Sequence, residues 1–284
     1  MRTAVVTDSN SGILPEMGRE LGVFVVPMPF TINGTLYYEG VSLTAEEFFR
    51  YIEEGAEVST SQPAPGELQD LWEKVLEEYD ELVYIPMTSS LSGSCMSAMA
   101  LAEDFEGRVQ VADNKRISLL QKQSVLEAAA LRDKGKTAEE IKEILEEHAL
   151  EHRIYLGVES LKQLRKGGRI SPATAAIGTA LQIKPVLRLW EGGIDLFAKV
   201  RGRKQMEQKM IEALRRDLET DFAGKPVSLY VAYVGTPEQG EAWRQTVQEA
   251  FPGHPVTKDV LSLVIACHTG LNVFGIGLAQ NLEI

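Results

Sequence analysis

Cysteine is scarce. The chain has two in 284 residues, Cys95 and Cys267, which form neither a metal-ligand spacing nor a disulfide framework. A reducing, cytoplasmic setting is the default for such a chain. Long apolar runs are missing too: no window approaches the roughly 18 consecutive apolar residues that a membrane span needs. The opening MRTAVVTDSNSG offers one Arg and three apolar residues before Asp8, too short for a signal peptide. Positive charge is in deficit, with 29 Lys and Arg against 41 Asp and Glu. The resulting net charge of -12 argues against nonspecific nucleic-acid binding. There is no G-x-x-x-x-G-K-[ST] run to hold a nucleotide triphosphate and no G-x-S-x-G nucleophile elbow. Internal repeats and low-complexity segments are also lacking.

What is present is a core-forming chain, 44 % hydrophobic, in which disorder is not expected. Its first half alternates apolar runs (TAVVTD, GVFVVPMPFTI, ELVYIP, RVQVAD) with segments of helical period such as GELQDLWEKVLEEY. Thr44 with Glu47 three residues on predicts a capping box. Strands alternating with helices predict a parallel sheet covered on both faces. The second half is less regular. It has a helix broken at Gly167-Gly168, an apolar helix of small residues in PATAAIGTALQI and a hairpin around Gly192-Gly193. A helix from Gly202 to Thr220 follows, then the strands PVSLYVAYV and TKDVLSLVIAC. The expected fold class is α/β in two domains: residues 1–152 as a Rossmann-like parallel-sheet domain, and 153–284 as an α+β domain with a mixed sheet.

Residues 85–99, IPMTSSLSGSCMSAM, carry six hydroxyls (Thr88, Ser89, Ser90, Ser92, Ser94, Ser97) and no charge. The stretch links a strand to a helix. In open α/β sheets that is where ligands bind, facing the unpaired N–H groups of the next helix. Neutral donors without Lys or Arg suit a single carboxylate or a neutral polar head. A second cluster, STSQPAPGEL, sets Ser59, Thr60, Ser61 and Gln62 before another helix, with Pro63 and Pro65 stiffening the entry. Asp8 and Ser9 end the first strand, where Asp8 has the composition of a helix cap. The three polar turns are expected to converge on one sheet edge. A fourth candidate, His268, is read as following an apolar strand and preceding a Gly-rich segment, placed to donate to a carboxylate. HALEH at 148–152 matches H-x-x-E-H, but it lies in a charged helix with no third ligand nearby, so it is not read as a zinc site.

Charge is unevenly spread. Between Arg153 and Lys209 twelve Lys and Arg meet four Asp and Glu, a local +8 that leaves -20 on the remainder of a chain whose total is -12. A basic island on an acidic protein suits a phosphate or an acidic partner.

The motifs VVTDS, STSQPAPGE, SSLSGS, LRKGGRIS and HTG occur in the order and approximate spacing of the DegV family, which the chain resembles over essentially its whole length. The resemblance implies two α/β domains with a long-chain fatty acid buried between them. It also implies similarity to the binding subunit of bacterial fatty acid kinase, which holds the acid while a separate ATP-binding kinase subunit phosphorylates the carboxylate. By the same resemblance Thr60 and Ser61 match the T-S of T-S-Q-P. Ser92 and Gly93 match the hydroxyl and N–H that meet the carboxylate, and His268 completes that head-group site. Arg169 and Arg201 match basic positions facing the kinase.

This reading implies no cofactor, no metal, no catalytic residue in the chain and no nucleic-acid partner. It leaves room for peripheral membrane contact during lipid exchange. PATAAIGTALQI and VFVVPMPF are the expected walls of an acyl tunnel. The sequence departs from the family pattern at Asn10-Ser11-Gly12 and Leu271-Asn272, near the expected ligand mouth, which bears on chain-length selectivity. The alternative is a stand-alone hydrolase acting on a lipid or another carboxylate or ester.

Overall fold

The computed structural model describes residues 1–171, 183–190 and 193–284. Most of PATAAIGTALQI, and Gly192 of the expected hairpin turn, lie outside the described residues. Packing divides the chain into two compact units. One is Met1–Leu150 with Ser262–Val264 and Leu282–Ile284; the other is Glu151–Leu261 with Ile265–Asn281.

The first unit contains strands β1 (Thr3–Asp8), β2 (Phe24–Val26), β3 (Pro29–Ile32), β4 (Thr35–Tyr38), β5 (Val58–Thr60), β6 (Glu81–Ile85) and β7 (Val109–Val111). Between them run helices α1 (Pro15–Leu21), α2 (Ala45–Glu53), α3 (Pro65–Val75) and α4 (Ser94–Ala102), followed by α5 (Leu119–Asp133) and α6 (Ala138–Glu147). Strands β2-β1-β6-β7 form a parallel sheet, with Val5 opposite Val83 and Thr7 opposite Ile85. Every residue of β1 is buried, as a parallel strand covered on both faces must be. The two-residue period still sorts its side chains. Ala4 and Val6 pack with Trp72, Tyr84 and Cys95, while Val5 packs with Ile85, Val125 and Ala128 on the other face. Burial pushes the Cys95 thiol up to about 12, so it behaves as a core hydrophobe. Thr44 and Thr137 both head helices with complete capping boxes, each worth on the order of 1 kcal/mol.

The apolar run GVFVVPMPFTI is not one strand. It breaks at Pro27, whose nitrogen donates no hydrogen bond. β2 joins the parallel sheet, and β3 joins a separate antiparallel sheet of order β4-β3-β5. The VFVVPMPF segment is core. Val26 packs with Trp72, Val23 packs with Val125, and the Phe30 and Phe48 rings meet edge-on at 5.6 Å.

The second unit contains β8 (His152–Gly157), α7 (Lys162–Lys166), β9 (Ile183–Trp190), β10 (Gly193–Arg201) and α8 (Gly202–Glu219). It continues with β11 (Val227–Val234), α9 (Pro237–Ala250), β12 (Val256–Val260), α10 (Leu263–Thr269), whose first two residues group with the first unit, and β13 (Val273–Gln280). The mixed sheet has order β10-β9-β8-β13-β11-β12, parallel at β11 and β12 and antiparallel elsewhere. Met206, Met210 and Leu214 of α8 and Trp243 of α9 fill its core, and Trp243 Nε1 donates to Gly275 O at 2.8 Å. The expected strand TKDVLSLVIAC is a strand only to Val260, and from Leu263 it is helix. Leu263 to Cys267 are all buried, so the run carries no period to separate strand from helix.

Candidate functional site

The hydroxyl-rich turn joins β6 to α4 and is folded on itself. Thr88 and Ser90 pair through their hydroxyls at 2.9 Å, and the Ser92 N–H donates to Thr88 O at 3.3 Å. Ser92 Oγ accepts from the Ser94 N–H at 3.2 Å and donates to Ser94 Oγ at 3.0 Å, just ahead of α4, whose N-cap is Gly93. Ser92 is half-buried and Gly93 exposed. The Gly93 N–H has no acceptor among the described residues. Ser92 can turn its hydroxyl from Ser94 toward a carboxylate, beside that free N–H and the first N–H groups of α4.

The Thr60–Gln62 segment comes to the same place. Thr60 ends β5 opposite Phe30, and Ser61 is exposed. Gln62 Oε1 accepts from Ser97 Oγ of α4 at 3.1 Å and stands 3.6 Å from where a Gly93 Cβ would be. Gln62 thus ties the T-S-Q loop to the S-G turn, a linkage the sequence did not reveal. The expected meeting of three turns on one sheet edge is corrected, however. β5 belongs to the small antiparallel sheet, so only the turns after β1 and β6 stand at the end of the parallel one. A recess under the turn, between α3 and α4, is lined by Gln62, Pro63, Leu68, Tyr84, Ser94 and Ser97. At about 10 Å³ it has room for one water and not for an acyl chain.

Asp8 is a fully buried cap. Its carboxylate accepts from the Asn10 N–H at 3.0 Å, the Met87 N–H at 2.8 Å and Gln121 Nε2 at 3.1 Å. Burial raises its carboxyl above the usual range against the pull of these bonds. It holds the start of the hydroxyl turn rather than facing a ligand. Ser89 donates to Asp113 and accepts from Lys115 Nζ at 3.0 Å, while Lys115 is ion-paired with Asp113. Burial works to raise the Asp113 carboxyl, but the Lys115 and Ser89 bonds outweigh it and hold the group below its ordinary value.

In the second unit His268 lies on α10, not at a strand end, and is half-buried. α10 stops at Gly270, whose φ is 77° and whose N–H returns to Ala266 O at 2.8 Å. The K-G-G-R loop after α7 presses on the imidazole: a Cβ at Gly167 would sit 2.2 Å from His268 Nδ1. Arg169 donates to Gly167 O, on the same loop. Burial, with the Arg169 charge second, lowers the His268 pKa to about 4, so at neutral pH the ring is an uncharged imidazole with one N–H to give. Arg201 is exposed, ends β10 and stands at the N-cap of α8, where the first turn contains no acid. HALEH does not share one helix face: His148 is the C-cap of α6 and His152 opens β8. Among the described residues no helix is long and apolar enough to cross a membrane.

The family model described as "Uncharacterised protein, DegV family" matches residues 2–281, and the chain belongs to the DegV family. A DegV domain-containing protein of Listeria innocua is 32 % identical over 278 residues, covering 97 % of each chain. Among solved structures, a DegV family protein of Thermus thermophilus, described for its fatty acid binding, aligns with a TM-score of 0.87 and 33 % identity over 99 % of this chain and all of that one. DegV of Bacillus subtilis, described as a fatty acid binding protein, aligns with a TM-score of 0.86 and 29 % identity, again over 99 % of this chain and all of that one.

Proposed function

We propose that this chain binds a long-chain fatty acid and presents its carboxylate to a separate ATP-dependent kinase subunit, which forms the acyl phosphate. The observation that carries fatty-acid binding is the uncharged donor set at the start of α4: the Ser92 hydroxyl and Gly93 N–H, with Thr60 and Ser61 on the loop that Gln62 ties to it. In this reading His268 is a further uncharged N–H donor. The likeness to fatty-acid-binding relatives across nearly the whole chain supports the same conclusion. Each buried methylene contributes roughly 0.8 kcal/mol, so an acyl chain can be held tightly although its head group meets no cation.

Presentation to a kinase is supported by the basic island. Arg201 and Lys204 stand at the start of α8, where the helix dipole already favours anions, while Arg203 beside them is ion-paired with Glu207. Such a cluster suits an acidic kinase surface or a transferring phosphoryl group. A stand-alone hydrolase finds less support. Ser89 is 3.0 Å from Lys115 Nζ, but an ammonium ion-paired with Asp113 has no lone pair to take a proton. The functional test is an oleate titration of wild type, Ser92→Ala and His268→Ala. Each variant removes a hydrogen bond to an ionised group, worth roughly 1.5–3 kcal/mol, and weakens binding by about tenfold or more. Unchanged binding in both variants would place the head group elsewhere.

A further inference from the structure

Ser89, Asp113 and Lys115 form a cluster that the head-group reading leaves without a task. Asp113 accepts twice from one residue: Oδ1 takes the Ser89 N–H at 3.2 Å, and Oδ2 takes the Ser89 hydroxyl. Lys115 Nζ donates to the same hydroxyl oxygen at 3.0 Å and is ion-paired with Asp113. One residue earlier, the Thr88 N–H donates to Arg116 O at 3.1 Å. The turn after β6 is thus fastened at two successive residues to the loop after β7. That loop is itself held from behind. The Asp113 N–H donates to Glu146 Oε1 of α6 at 3.0 Å. Arg116 is 2 % exposed and donates to Ser124 Oγ of α5 and to His148 O, each at 3.1 Å. All of these residues belong to the first unit.

The backbone of the loop gives a second indication. Lys115 has φ 55°, in the left-handed region that glycine or asparagine occupies with less strain. A lysine stands there, and its ammonium reaches both Asp113 and Ser89. Strained backbone of this kind collects where a side chain is used. Downstream of the fastening, Thr88 O accepts from the Leu91 N–H at 3.2 Å and from the Ser92 N–H at 3.3 Å. The place of Ser92 and Gly93 therefore follows from that of Thr88 and Ser89. We propose that Asp113 is a positioning residue for the uncharged donor pair: by taking both donors of Ser89 it fixes the turn, and through the turn the Ser92 hydroxyl and the Gly93 N–H. Ser89 is then a fixed post, its proton given to Asp113 and its oxygen accepting from Lys115.

This role rests on the fatty-acid reading only for its affinity readout. Full-length protein labelled with ¹⁵N-glycine is compared as wild type, Asp113→Ala, Asp113→Asn, Ser89→Ala and Thr44→Ala. The last removes the cap of α2 in the same unit and touches neither loop. Asp113→Ala is expected to shift the Gly93 amide resonance and to weaken oleate binding roughly tenfold. Asp113→Asn keeps an acceptor for the Ser89 N–H and a polar group for its hydroxyl, and restores both. Ser89→Ala withdraws one of the two bonds and moves both readouts less, in the same direction. Because it removes no charge, its Gly93 shift reports geometry. Thr44→Ala lowers the Tm and changes neither readout. If Asp113→Ala does not fold, Ser89→Ala carries the test. A Gly93 resonance and an oleate affinity that stay at wild-type values in the folded Asp113→Ala or Ser89→Ala variant would overturn the proposal, and so would an Asp113→Asn variant that behaves like Asp113→Ala. If wild type binds no oleate while the Gly93 resonance still moves with Asp113 and Ser89, the fatty-acid reading fails and the positioning role stands.

Discussion

Gly167 and His268 are in direct contact: a Cβ added to the glycine would lie 2.2 Å from Nδ1 of the imidazole and 3.3 Å from Gln163 O. The K-G-G-R loop therefore fits against the ring only while residue 167 has no side chain. The backbone at Gly167 has φ -76° and ψ -7°, which alanine adopts freely, so the effect of a substitution there is steric and local.

Gly167→Ala is expected to turn the His268 ring away and to weaken oleate binding about tenfold or more, with a small change in Tm. Gly168→Ala should do the reverse. Gly168 has φ +69° with nothing within 4 Å of an added Cβ, so alanine costs roughly 1 kcal/mol in backbone strain and leaves the imidazole alone. Oleate titrations and thermal melts of the two variants check this. Wild-type affinity in Gly167→Ala would mean that the ring position does not matter for binding.

His268 and Glu39 are expected to pull stability in opposite directions with pH. The His268 pKa falls from 6.5 to about 4 in the folded chain, so its contribution is present above 6.5 and lost as pH drops toward 4. The Glu39 pKa rises from 4.5 to about 7, so its contribution is present below 4.5 and lost as pH rises toward 7. Relative to wild type between these limits, Glu39→Gln should gain stability with rising pH and His268→Gln should lose it. Each slope is at most about 1.4 kcal/mol per pH unit. Urea unfolding across that window measures both, and two slopes of the same sign would contradict the assignment.

Arg169 and Arg201 are expected to separate. Arg201 is exposed at the start of α8, so Arg201→Glu should leave oleate affinity intact and cut acyl-phosphate formation from labelled ATP when a kinase subunit is supplied. The loss should depend on salt. Arg169 also acts on His268, so Arg169→Gln should raise the histidine pKa as well as slow transfer. Equal losses of binding and transfer in Arg201→Glu would mean that this arginine holds the ligand or the fold. Acyl-phosphate formation without any partner would make the chain an enzyme in its own right.

Much of this was legible in the sequence because it is local chemistry. The buried β1 and β6 runs, the Thr44-Glu47 box and the long helix closing at Thr220 each follow from periodicity or capping within a few residues. The order of the motifs pointed to the family that the whole-chain match establishes. Long-range choices were not legible. Pro27 marks a break, but nothing nearby says that the chain then changes sheet, and the short strands β4 and β5 become strands only through pairing with β3. Leu263 to Cys267 read equally well as strand or helix because every side chain is buried. Gln62 and Gly167 matter through partners 35 and about a hundred positions away, distances that local reading does not span.

The decisive measurement for fatty-acid binding is native mass spectrometry of the purified, natively folded chain beside its organic extract. The expected result is a mass increment equal to a long-chain fatty acid, recovered as that acid in the extract and lost together with thermal stability after delipidation. A clean extract, with no rise in Tm when oleate is added back, would contradict it.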